Sequence, residues 1–185
     1  MTAQKRFHKP FEADIHEVTD PAGRAIVATF LETKGAEVHP HPDTYDLDLQ
    51  AFNPKNGKLV AEAEVEVRVA WRDHEYPMDR WGPYLHVPTR KEKFLDRDVP
   101  FMFFSINRNL TGMLWCMGET IKNSRIGRNM LQKKYFNEKF FKVDWQTMNW
   151  VDLRQIGIEI PDYDQYLIDL DELERAKGWG KYKHA

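Results

Sequence analysis

The chain of 185 residues is 42% hydrophobic, 13% aromatic and 30% charged, enough apolar material for one domain with its own core and no covalent staples. A formal net charge of −2 excludes a global attraction to polyanions, so any binding of nucleic acid must come from local asymmetry of charge. The lone cysteine, Cys116, excludes an intramolecular disulfide and a cysteine zinc site; no apolar run approaches the roughly 18 residues of a membrane span, and no apolar leader opens the chain. The expectation is a soluble cytoplasmic protein with no membrane partner.

Residues 1–17 mix Lys5, Arg6, His8 and Lys9 with Phe7, Phe11 and Ile15 without a period, and read as an irregular arm. Asp20-Pro21 is a helix start, the aspartate suited to capping and the proline to the first turn, and Gly35 ends the run. Gly23 weakens that first turn, while Ala25, Ile26, Ala28, Thr29, Phe30 and Leu31 give a broad apolar face fit to lie on a sheet. Ala36 to Val38 makes a short strand. His39, His41 and Asp43 could form a metal cluster, but the two prolines among them favour an extended surface connection.

Tyr45 to Phe52 alternates apolar residues with Asp46, Asp48 and Gln50, the period-2 pattern of a half-buried strand. From Leu59 to Trp71 the same parity sets Ala61, Ala63, Val65, Val67, Val69 and Trp71 on one face and Glu62, Glu64, Glu66 and Arg68 on the other. Asn53-Pro54-Lys55-Asn56-Gly57 supplies hairpin-loop chemistry between them. A symmetric loop makes paired positions add to about 110, which sets Asp46 opposite Glu64 and Asp48 opposite Glu62; a two-residue slip sets Asp46 opposite Glu66. In either register acid faces acid across roughly 5 Å, which is destabilising by some tenths of a kcal/mol up to about 1. A divalent cation held by two or three of these oxygens reverses the sign of that energy, and hard oxygen donors suit magnesium, manganese or calcium over zinc. The competing reading is a solvated face neutralised by Arg68 and nearby lysines.

Arg72 to Pro83 reads as a loop, Tyr84 to Pro88 as a short strand, and Thr89 to Lys93 as a basic helix start. Val99 to Asn107 is a nearly continuous apolar run, as expected of a strand buried on both faces. Leu110 onward reads as another strand, with a turn or short helix near Glu119 to Ser124, because Gly112 and Gly118 oppose a long helix. Lys122, Arg125, Arg128, Lys133, Lys134, Lys139 and Lys142, with Glu138 the one acid among them, interleave with Tyr135, Phe136, Phe140 and Phe141. That combination suits a phosphate-tracking, base-stacking surface, although aromatics at such spacing also suit a core. Lys142 to Leu153 adds an edge strand with Trp145 and Trp150 packing. Leu167, Leu170 and Leu173 mark a C-terminal helix from Tyr166 to Ala176, before a polar tail of residues 177–185.

The order of helix, Gly-Ala-Glu-Val, Pro-Asp-x-Tyr-Asp-Leu-Asp-Leu, short turn and Glu-Val-Glu-Val-Arg resembles the restriction-endonuclease-like PD-(D/E)xK nuclease superfamily over roughly Asp20 to Trp71. There an aspartate begins one core strand, and an acid, any residue and a lysine sit on the next. Here the final lysine is absent: Glu64-Val-Glu66 sets an acid in its place and Glu66-Val-Arg68 an arginine, which stays protonated and cannot act as a base. Asp46 suits the first position because it lies inside the strand on the glutamates' face; Asp43 and Asp48 are the alternatives.

The resemblance implies a single α/β domain over residues 1–185 with a central mixed β-sheet flanked by helices. It further implies a metal-dependent endonuclease in which Asp46, Glu64 and Glu66 hold Mg2+ or Mn2+. Arg68, Arg90 or Lys91 would meet the scissile phosphate, with Lys91 able to stand in for the missing lysine. Arg90, Arg125, Arg128, Lys133, Lys134 and Lys139 would bind the nucleic acid, DNA first, and a homodimer stays open. The alternative is a catalytically inactive DNA-binding or assembly module on the same fold. No phosphate-cradling glycine loop, nucleophile elbow or dinucleotide fingerprint supports a small-molecule enzyme.

Overall fold

The computed structural model describes residues 13–43, 47–128, 139–160 and 162–178, with Arg128 described in its backbone alone. Helix α1 spans Ala13–Thr33 and buries Ile15, Thr19, Gly23, Ile26, Val27, Phe30 and Leu31, one stripe at helical spacing. It therefore starts well before Asp20-Pro21, and residues 13–17, expected in an irregular arm, are helical. Pro21 lies inside the helix on its exposed side, where the Glu17 carbonyl it deprives of a donor also faces water. The helix ends as expected at Gly35, whose φ of 88° is the left-handed conformation that lets the next amide return to the Leu31 carbonyl at 3.2 Å. Gly23 is no weak first turn but a contact point, since a Cβ there would stand 2.8 Å from a methyl of Val67.

Among the described residues the strands are β1 (Glu37–Pro40), β2 (Leu49–Phe52), β3 (Leu59–Arg68), β4 (Tyr84–Pro88), β5 (Phe101–Asn107), β6 (Gly112–Met117), β7 (Arg125–Arg128), β8 (Lys139–Asp144) and β9 (Asn149–Asp152), and two short helices, α2 (Met78–Trp81) and α3 (Gly118–Lys122), lie between them. Six of them form a mixed sheet in the order β1-β2-β3-β5-β6-β9, in which β3 and β5 are parallel and all other neighbours antiparallel. The other three form a smaller antiparallel sheet, β4-β8-β7. The chain is thus a mixed α/β protein, as the sequence pattern implies. β5 is buried at every position, the expected central strand. The edge strand expected within Lys142 to Leu153 is β9 alone, because Lys142 belongs to β8 in the other sheet.

Helices α1 and α4 (Tyr163–Ala176) cover one face of the large sheet, packing Ile26, Val27, Phe30, Tyr166 and Leu170 on Ala61, Ala63, Met102, Phe104 and Ile106. The expectation of helices around the sheet holds on that face. The opposite face carries Phe101, Phe103, Leu114 and Cys116, and is covered by Leu85, Val87, Phe141 and Val143 of the small sheet with Phe94 of a 3-10 helix, Thr89–Phe94. The reason lies in the parallel β3–β5 pair, which needs a long crossover. Residues 69–100 supply it, and they lay a helical turn at Met78–Trp81, β4 and the 3-10 helix over the face toward which Glu62, Glu64, Glu66 and Arg68 point.

Candidate functional site

β2 and β3 pair antiparallel, but with Gln50 opposite Glu62 and Leu49 opposite Ala63, the slipped register, interrupted by an irregularity at Ala51/Phe52. Continued by one pair, that register sets Asp48, not Asp46, opposite Glu64. Asp46 lies outside the described residues. β2 also begins later than expected, at Leu49, and Asp48 is held on β3 by hydrogen bonds instead: its amide donates to the Ala63 carbonyl at 3.0 Å and its Oδ2 accepts from the Val65 amide at 2.8 Å. The second strand is likewise shorter than its apolar parity suggested, ending at Arg68, and Trp71 turns fully into the core beneath the crossover.

Four side chains converge there. Arg24 of α1 brings Nε to 3.1 Å from Asp48 Oδ1 and Nη2 to 3.3 Å from Asp20. Lys91 of the 3-10 helix ion-pairs with Glu64, and each of these two side chains is 14% exposed. The face that could have been solvated is instead roofed. Burial pushes the Glu64 carboxyl up to about 7, against the pull of Lys91 and with the help of the Asp48 and Glu66 charges. Burial also raises Asp48, opposed by the Val65 amide and by Arg24, and reinforced by the Asp20 charge.

The remaining acids of the face do not join this group. Glu62, 6% exposed, is taken by three partners: Arg97 at 2.9 Å, Gln50 at 3.2 Å and His41 at 3.3 Å. Burial alone would raise its carboxyl, but those donors hold it below the ordinary glutamate value. His41 is accordingly no surface residue; its other nitrogen lies 3.1 Å from the Asp43 amide, while the exposed His39 pairs with Glu37 at 2.8 Å. The His39–His41–Asp43 cluster does not form. Glu66 pairs with Arg68 at 2.9 Å, and Arg68 also donates to Ser105 Oγ at 2.7 Å and to the His86 carbonyl at 2.8 Å, so the arginine ties β3 to β5 and β4.

Among the described residues, no group of three or more His, Cys, Asp or Glu side chains is placed to hold a metal ion. Arg90 is exposed on the 3-10 helix, and Arg125 and Lys139 are exposed on β7 and β8. Lys133 and Lys134 lie outside the described residues. The sequence pattern located Glu64 and Lys91 but could not join them, and it missed Arg24, whose only local signal is its place four residues beyond Asp20 on a helix.

What fold and site define is a class: a mixed α/β protein with a roofed carboxylate pair, one on β3 and one just ahead of β2, each carboxylate matched by a cation from a different element. Compared with protein-family models, curated proteins and solved structures, the chain matches none. No helix among the described residues is long and apolar enough to cross a membrane.

Proposed function

We propose that the chain is a divalent-metal-dependent nuclease of restriction-endonuclease-like type, with Asp48 as the first motif acid, Glu64 as the second and Lys91 in the role of the missing lysine. The observation that carries the reading is the pairing of Lys91 with Glu64 beside Asp48: the three chemical groups of the motif meet although the lysine comes from another element. A divalent cation fits the donor set, because Asp48 and Glu64 offer hard oxygens and magnesium is commonly held by one or two carboxylates plus substrate phosphate and water.

When bound, magnesium or manganese supplies Lewis-acid polarisation of the phosphate and a water of lowered pKa. The chain's own groups do the rest. Burial makes the Glu64 carboxyl reluctant to ionise, and positive charge beside it, from Lys91 or a cation, favours the carboxylate that would hold the metal. Lys91 donates a hydrogen bond from its ammonium to a nonbridging phosphate oxygen, where charge grows in the transition state. Arg24 and the Val65 amide orient the Asp48 carboxylate. The 3-10 helix and β4 exclude bulk water from one side of the pair, which strengthens each of these interactions.

The test is cleavage of labelled single-stranded, duplex and branched DNA with magnesium, manganese or chelator present. Divalent-dependent cleavage that disappears in Glu64→Gln supports the reading, and its absence on every substrate rejects it. One observation favours a second reading, the inactive DNA-binding module: Asp48 and Glu64 already have Arg24 and Lys91 as counter-ions, so the pair is electrostatically complete without metal. DNA binding without cleavage, and without manganese uptake by calorimetry, selects that reading.

A further inference from the structure

His86, Lys142 and Arg125 stand side by side across β4, β8 and β7, each directly opposite the next. Leu85, Val87, Phe141 and Val143 point into the core, so the row lies on the outer face of the small sheet. Strands about 4.8 Å apart make it roughly 10 Å long. Like charges placed directly opposite repel. Among the described residues no carboxylate pairs with Arg125 or Lys142. The Lys142 chain lies over Gly127, where a Cβ would overlap its Cε and come within 3.0 Å of its Cδ. Arg68, its side chain 16% exposed and bonded to Glu66 and Ser105, meets the free edge of β4 beside the row through its bond to the His86 carbonyl. Two rings flank the row: Phe140, 5.6 Å from His86, and the exposed Tyr84.

The geometry points to a track for the phosphodiester backbone of a single nucleic-acid strand along Arg125, Lys142 and His86. The track takes its direction, toward Glu64, from the nuclease reading, but its existence does not depend on that reading. A phosphate supplies the anion that the row lacks, and flanking rings suit unpaired bases, whose faces are free to stack. The groups facing His86 are Arg68 from β3, Lys142 from β8 and the Phe140 ring. Burial first, then those two cations, hold the imidazole below its ordinary value, so it is neutral near pH 7 until an anion offsets them.

Fluorescence anisotropy of a short labelled single strand in chelator isolates binding from cleavage. Arg125→Gln with Lys142→Gln should weaken binding roughly tenfold at low salt and flatten the salt slope by about 0.7 for each cation lost. Gly127→Val, which displaces Lys142, should act as Lys142→Gln does. Wild-type affinity should rise severalfold from about pH 8 to about pH 5.5. His86→Gln should abolish that rise. Because a repulsion is removed, the double variant should melt no lower than wild type, which separates lost binding from lost folding. Wild-type affinity and slope in the double variant, a pH response that survives in His86→Gln, or equal affinity for duplex would each overturn the track. Binding as described with no divalent-dependent cleavage sinks the nuclease reading and leaves the track, whereas cleavage with an unaffected double variant does the reverse.

Discussion

Lys91, 27 residues beyond Glu64 in the chain, places its ammonium on the Glu64 carboxylate where neither group is more than 14% exposed. Glu64 remains hard to ionise despite that cation, because burial outweighs it. A carboxyl raised from 4.5 to about 7 on folding binds a proton in the native state that the unfolded chain has already released. Native protein thus holds the extra proton between about pH 4.5 and 7, and this group's share of stability falls as pH rises through that window, by up to roughly 3 kcal/mol. Thermal melts across the window should show the decline. They should show a flatter profile for the double variant Glu64→Gln with Lys91→Met, which removes the titrating group without leaving a buried charge unpaired; an identical profile would locate the pH dependence elsewhere.

Replacing Asp48 by asparagine should abolish divalent-dependent cleavage while Asp46→Asn retains most of it, because the observed register brings Asp48 to Glu64. Rates on a common labelled substrate decide the matter, and the opposite ranking would return the first motif position to Asp46. Asp48→Asn should also cost little stability, since it removes a buried carboxylate whose ionisation is disfavoured but can still accept from the Val65 amide.

The deepest ion pair among the described residues lies away from this site. Arg108 and Glu174, 5% and 4% exposed, meet at 3.1 Å where the β5–β6 connection docks against α4, with Arg72 and Asp171 alongside. Truncation of Glu174 to alanine leaves Arg108 buried without its main partner and should cost about 3–5 kcal/mol, read from the urea midpoint. Replacing both, Arg108→Met with Glu174→Leu, should recover most of that loss, because apolar groups of similar volume need no counter-charge.

Gly23→Val tests how closely α1 lies on β3. The added methyls run into Val67 and Val65, and overpacking of this kind costs about 1–3 kcal/mol, more than the helix gains from losing a glycine. A stability equal to wild type would mean that the helix shifts freely on the sheet.

Local chemistry set what alternation and composition can set. The parity of Leu59 to Arg68 fixed which residues face the helices, the unbroken apolar run of Phe101 to Asn107 fixed a doubly covered strand, and Gly35 fixed a helix end, because each depends only on a residue's own side chain and its near neighbours. Tertiary structure decided the rest. The hairpin slip that exchanges Asp46 for Asp48 follows from loop and bulge geometry, to which the alternation is indifferent, since a shift of two residues keeps every side chain on its face. Pro21 sits inside α1 because packing on the sheet outweighs one lost backbone hydrogen bond. The union of Arg24, Asp48, Glu64 and Lys91 needed a helix laid across β3 and a crossover folded over it. No spacing in a linear chain records that, because the energy joining these groups is electrostatic and arises only once burial has stripped them of water.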